Sequence, residues 1–345
     1  MRHLVGLVAA VTIGATMLAG CSSSKSQTDL QVANNLVAAT PATSPAPTVT
    51  ASGQVISLPG DATAIVADPR SDTLAVAITQ PAEIELYSLA HPGGTPRATV
   101  ALDGPATGLT LGAAGGPLLA AVPSDNLVFD ITLGNRPGTT YGTAARVPFT
   151  GGPTSAALVD KQLLVALPAR KAVELIDPDT GKVNRTITGQ VTPQQVVATG
   201  DKAVLIDQLQ SAVFDVQLDE GSVGTGLRAG DGATNGVADS YGRILVTDTR
   251  TGELLAFSPD PIVMRQRYPV PGSPYGIAYD SKRDLAWVTL TQLNQVVGFD
   301  MAGGAPVQKY TLPTVRQPNS VAVDPNSGRV FVASADGGGV EVIQP

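Results

Sequence analysis

Short apolar runs, bounded by Gly, Pro, Asp and Asn, recur along most of this chain. The strongest are Leu74–Ile78, Leu118–Val122, Leu163–Leu167, Ala203–Asp207, Ile244–Asp248, Leu285–Thr289 and Val330–Ser334, whose first residues lie 40 to 45 positions apart. A second run precedes each, as in Asn235–Asp239, Tyr275–Asp280 and Asn319–Asp324. A third follows, as in Ala172–Asp177, Gln295–Asp300 and Val340–Ile343, and a more polar fourth closes most units, as in Val183–Ile187 and Gln308–Leu312. Runs of this length between turn residues are strands, and the 3.6-residue period of a helical solenoid is absent. Four short strands per repeat of about 40–50 residues make one propeller blade. The pattern therefore predicts an all-β, seven-bladed β-propeller over residues 54–345.

The last unit has three strands, while Val55-Ile56-Ser57-Leu58 stands alone just before the first. If that segment completes the seventh blade, the ring closes and no long sheet edge is left open to solvent.

Ahead of the repeats, Met1-Arg2-His3 is followed by the apolar run Leu4–Leu18 and then by Leu18-Ala19-Gly20-Cys21 and a polar Ser/Lys stretch. The run is short for a membrane span and its downstream flank is that of a cleaved export signal. Leu18-Ala19-Gly20-Cys21 resembles the lipobox of bacterial lipoproteins, and Cys21 is the one cysteine of the chain. The resemblance implies a signal peptide over 1–20, cleavage before Cys21, lipid on its sulfur, and a chain anchored to the extracytoplasmic face of the cell membrane. Two or three acyl chains hold such an anchor where one would not. Residues 21–53 then read as the lipidated Cys followed by a flexible Ser/Thr/Pro-rich tether, with Thr40–Thr48 its most Pro-rich part and a short helix expected over Asp29–Ala39.

The repeats themselves resemble the YVTN/NHL-type propeller repeats, in segments such as Asp177-Pro-Asp-Thr-Gly-Lys-Val183 and Pro318-Asn-Ser-Val-Ala-Val-Asp324. That resemblance, over roughly residues 54–345, implies an architecture and leaves activity open. WD40-type repeats do not fit, because Trp287 is the only tryptophan and is followed by Val288.

Composition narrows the function classes. Hydrophobic residues make up 43% and charged residues 15%, and the net charge is −7. That balance argues against disorder and against nucleic-acid partners. Loss of residues 1–20 removes Arg2 and no acid, so charge does not hold the mature chain to anionic lipid. A single Cys excludes an internal disulfide framework, and 2 His exclude a multi-histidine metal centre. Ala, Gly and Pro richness, with Arg outnumbering Lys, is the composition of a GC-rich, actinobacterial-type chain.

In a propeller the starts of the innermost strands ring the mouth of a central funnel. Aligning the repeats puts Thr63, Thr107, Thr154, Gln194, Asn235, Tyr275 and Asn319 there, a neutral, polar ring for a ligand. Thr, Asn and Gln at strand starts also cap turns or bond neighbouring blades. The loops after the second strands add Arg170, Lys171, Asp207, Asp248 and Arg250 to the same face. No metal site is expected; the candidates for one are Asp207 and Asp248 with Asn235, but strand-end Asp is more often a turn residue. Calcium-dependent lactonase-like propellers use Glu, Asn and Asp at the ring, because a hard cation needs several charged oxygens. Here only the Asn type is matched. His91 falls in a turn on the opposite face, away from any nucleophile at the axis.

No cofactor is expected. The reading that follows is a cell-envelope lipoprotein whose propeller is a non-catalytic binding or scaffolding platform for a protein, peptide or glycan. A metal-dependent lactonase or gluconolactonase-like hydrolase is the alternative.

Overall fold

The computed structural model describes residues 36–134 and 140–345. The expected signal peptide, Cys21 and most of the expected helix over 29–39 lie outside the described residues. Among the described residues, seven antiparallel sheets form the blades, with innermost strands Ala62–Asp68, Gly108–Leu111, Ser155–Val159, Pro193–Thr199, Ala233–Ala238, Pro274–Asp280 and Pro318–Val323 for blades 1 to 7. Blade 7 takes its fourth strand from the start of the repeat region, Gln54–Ile56, which pairs antiparallel with Val340–Ile343. The ring is closed as the orphan Val55-Ile56 segment predicts. Blade 4 departs from the pattern, since its outer edge is broken into Ser222–Val223 and Leu227–Arg228, both paired with Ala212–Gln217.

The continuous apolar runs are the second strands. Thr73–Ile78, Leu118–Val122, Ile244–Asp248 and Leu285–Leu290 are buried at every position, because both faces of each sheet pack on a neighbouring blade. Blades diverge outward, so the wedges between them widen away from the axis. Phe129, Phe214, Phe257 and Phe299 on third strands, and Trp287 and Phe331 on second strands, are fully buried there. Each such side chain contributes about 1.5–3 kcal/mol of burial.

Hairpins between first and second strands turn on Asp. The carboxylates of Asp68, Asp280 and Asp324 accept N–H bonds from the residues two and three positions on, and Asp239 does so from Tyr241 and Arg243. These turns line the face opposite the funnel mouth. Among the described residues no helix is long and apolar enough to cross a membrane.

The expected tether is not free throughout. Residues 36–47 form no regular secondary structure and no helix, yet Ala39 and Ser44 are buried. Composition predicted a spacer here, but main-chain groups of Val37–Pro47 find partners on blades 4 to 7. The Ser44 N–H donates to Gln317 Oε1 at 2.9 Å, Gln317 Nε2 donates to the Ala42 carbonyl at 3.0 Å, and Asn294 Nδ2 donates to the Pro45 carbonyl at 2.9 Å.

Candidate functional site

The funnel is a central channel of about 450 Å³. Its walls are the innermost strands of blades 1, 2, 4, 5, 6 and 7, presenting small and branched apolar residues such as Ala64, Ile65, Leu109, Val197, Val237 and Ile277. Its mouth carries Thr63, Thr107, Asn235, Tyr275 and Asn319. Five of the seven ring residues expected from the repeat alignment are thus brought together at one opening. Gln195, not Gln194, lines the channel, and Thr154 is not among its lining residues.

The reason for the Gln194 shift is local. Register slips at the start of several innermost strands, between Ala62 and Ala64, Pro193 and Gln195, and Pro318 and Ser320. An extra residue in one strand of a pair changes which side chain faces which side. At blade 4 the Gln194 carbonyl accepts from Thr154 Oγ1 at 2.8 Å, while the Gln195 side chain lies in the channel wall.

Three of the seven expected ring side chains, those of Thr63, Thr154 and Asn235, bond the next blade, while Asn319 accepts from Gln317 of its own blade. Thr63 Oγ1 donates to the Ala106 carbonyl at 2.6 Å, and Asn235 Nδ2 donates to the Tyr275 carbonyl at 3.2 Å. Gln195 pairs with Gly236 in both directions, Nε2 donating to its carbonyl at 3.0 Å and Oε1 accepting its N–H at 2.8 Å. Three residues that the sequence did not single out do the same work. Ser155 Oγ accepts the Val196 N–H, Ser320 Oγ accepts the Ile65 N–H, and Thr247 Oγ1 donates to the Tyr275 carbonyl. At two seams glycine replaces a latch: a Cβ on Gly108 would sit 2.8 Å from the Thr154 carbonyl oxygen, and one on Gly276 2.9 Å from that of Asn319. The ring is therefore first a set of inter-blade latches, each worth about 0.5–1.5 kcal/mol net. Burial pushes the Tyr275 phenol above its usual range, against the opposing pull of Asn235, so Tyr275 stays neutral at physiological pH.

The candidate metal ligands are spent in the same way. Asp207 is fully buried, and its carboxylate accepts the N–H groups of Val191, Thr192 and Gln210 and the Gln210 side-chain amide, at 2.7 to 3.1 Å. Asp248, also fully buried, accepts the N–H groups of Asp231, Arg250 and Thr251 at 2.9 to 3.2 Å, and the Thr251 hydroxyl. Both are turn anchors rather than donors into the channel, and the N–H groups around them use the lone pairs that a cation held with Asn235 would need. Among the described residues no cluster of three His, Cys, Asp or Glu is placed to hold a metal ion. Arg170 pairs with Glu174, and Lys171 is exposed with a left-handed backbone, φ 52°. His91 is exposed, in the turn between Glu83–Ser88 and Ala98–Ala101 on the far face.

No protein-family model matches the chain, and no curated protein matches it. Solved propellers do match. The WD40 repeats of RRP9 superpose with a TM-score of 0.72 at 12% identity, over 86% of this chain and 99% of that one. Hydrazine synthase of Kuenenia stuttgartiensis gives 0.69 at 15%, over 84% and 96%, and a streptogramin B lyase gives 0.68 at 10%, over 84% and 96%. At these identities the shared property is the fold, an all-β seven-bladed propeller.

Proposed function

We propose that this chain is a lipid-anchored protein of the bacterial cell envelope whose propeller is a non-catalytic platform for a protein, peptide or glycan. The observation that carries the reading is the chemistry of the funnel mouth. Its polar side chains are neutral and several of them hold blades together, and the two carboxylates buried in its loops are bonded by backbone and side-chain donors. Such a mouth offers a rigid surface of loops and a small channel of mixed polar and apolar lining, without a poised acid, base or nucleophile. The WD40 neighbours and the YVTN/NHL-type motifs support the reading by analogy of fold. The lipobox resemblance at Cys21 supports the anchor.

Photo-crosslinking in intact cells, from probes placed in the loops around Thr107 and Asn319, tests the platform. A discrete crosslinked partner that disappears when the probe is moved to the far face is the expected result. Turnover of lactones or esters by the purified chain, abolished by Asn235→Ala, would overturn it. For the anchor, metabolic labelling with an alkyne fatty acid should tag the wild-type chain and not Cys21→Ser.

A further inference from the structure

The strap formed by Val37–Pro47 lies on one particular face. Every propeller residue that binds it sits in a loop after a second strand or just before an innermost strand, the side on which the channel opens. Gln208 Nε2 donates to the Ala39 carbonyl at 3.2 Å and Arg250 Nη2 to the Val37 carbonyl at 2.5 Å. Ser273 Oγ accepts the Ala42 N–H at 3.2 Å, the Ser44 hydroxyl donates to the Thr291 carbonyl at 2.5 Å, and Arg316 holds the Ser44 carbonyl through Nε and Nη2. The strap runs along the rim and does not line the channel. Seated this way, the strap begins beside Arg250 of blade 5, on the mouth face.

We propose that the docked strap fixes which side of the propeller faces the membrane: the channel mouth is turned toward the bilayer and the Asp-turn face away from it. This rests on Cys21 being the lipid attachment point. From Cys21 to position 36 there are 15 residues, which span at most about 50 Å fully extended. With the strap undocked, the free chain would run 32 residues to Gly53, at most about 110 Å, and would reach the outer edge of blade 7. A leash of that length joined at the rim's side lets either face meet the membrane. The shorter one joined on the mouth face favours that face. As a random coil its 15 residues span about 20 Å. An innermost strand of seven residues makes the propeller about 23 Å tall, a height the leash would have to cover in addition to passing round the rim. Charge agrees with this orientation. On the far face Asp201, Asp219, Glu220 and Asp260 gather around the single ammonium of Lys202, and the strap keeps that acidic patch away from anionic headgroups. A ligand of the channel then arrives from the membrane-proximal space.

The experiment uses a fluorescent donor on a ketone-bearing residue replacing either Leu293, exposed in a blade 6 loop on the mouth face, or Tyr241, exposed in a blade 5 turn on the far face. Energy transfer to acceptor-labelled lipid is read in vesicles of phosphatidylglycerol and phosphatidylethanolamine. Two forms are compared: the lipoprotein matured in cells, and the chain from Cys21 onward coupled through that sole thiol to a maleimide lipid.

Transfer from position 293 should exceed that from 241 by at least about twofold, given the height difference. The ratio should fall toward one in Arg316→Ala/Gln317→Ala, with an unchanged circular dichroism spectrum. Equal or reversed transfer in the maleimide-coupled form overturns the proposal. So does free-peptide exchange at the Ala42 and Ser44 amides, which needs no membrane and no variant. If cell-derived chain fails to float with vesicles while the coupled form shows the ratio, the lipidation reading fails and the strap's orienting role stands.

Discussion

Glu341 is where ring closure can be tested most directly. It sits in Val340–Ile343, the strand that receives Gln54–Ile56, and its side chain is fully buried. One carboxylate oxygen accepts the Gly53 N–H at 2.6 Å and the other accepts the Val315 N–H at 3.0 Å. A single side chain thus ties the incoming closing strand and the connection between blades 6 and 7 to the last blade. Glu341→Ala strands two N–H groups, each costing about 1–3 kcal/mol when buried without a partner. Relief of the buried charge offsets part of that, leaving an expected loss of about 2–4 kcal/mol in urea denaturation. Glu341→Gln keeps the shape and one acceptor and should lose roughly half as much. The pH dependence supplies a second reading. Burial raises the Glu341 carboxyl above its usual range, against the bonds from Gly53, Val315 and Ser52. The folded state therefore holds the proton more tightly than the unfolded one, and stability contributed by this group declines as pH rises from about 4 through the raised folded value. The stability of wild type relative to Glu341→Gln should fall across that window. A difference that is flat, or that grows with pH, refutes the argument, as does an alanine variant within about 0.5 kcal/mol of wild type.

Other positions give independent checks. Gln195→Ala removes the two-way pairing with Gly236 across blades 4 and 5 and should cost about 1–3 kcal/mol in chemical denaturation, because Gly236 loses partners for both its N–H and its carbonyl. Gly276→Ala drives a methyl to 2.9 Å from the Asn319 carbonyl oxygen and 3.1 Å from Ser320 Cα, both backbone of the next blade, so it should lose about 1–3 kcal/mol by the same assay. The Tyr279 phenol is pushed up to about 12 by burial and by its bond to Asp284 at 2.7 Å. The folded state keeps that proton where the unfolded chain releases it, so stability falls as pH rises past about 10. Tyr279→Phe should flatten part of this alkaline loss in thermal melts, after starting from a slightly lower value at neutral pH.

The blades were legible because each depends on its own sequence: a buried second strand is apolar at nearly every position, and a hairpin closed by Asp announces itself two residues before the turn. Ring closure was legible for a related reason, since a three-stranded last unit and an orphan strand complement each other. The channel ring was legible only in part. Register slips at strand starts move a side chain from one side to the other, so Gln195 takes the place expected of Gln194. Asp207 and Asp248, the metal candidates, take N–H groups not only from their own turns but from connections 15 to 17 residues earlier, and no local pattern reveals the latter.

The strap was the least legible element. Seven of its main-chain groups bind side chains or hydroxyls 169 to 275 residues away, and such contacts place almost no demand on the strap's own sequence. A Pro- and Ala-rich segment that buries little apolar surface cannot fold by itself, and composition rightly says so. What composition cannot express is that the propeller supplies the partners. Ser44 marks the difference: its hydroxyl donates to Thr291 and accepts the Gln317 N–H, so a residue typical of linkers becomes a buried pin between two blades. Segments of this kind keep linker sequences while acting as part of the domain. Their presence shows in the receiving surface, here in Arg250, Asn294, Arg316 and Gln317, whose side chains are aimed at main chain that precedes the first blade.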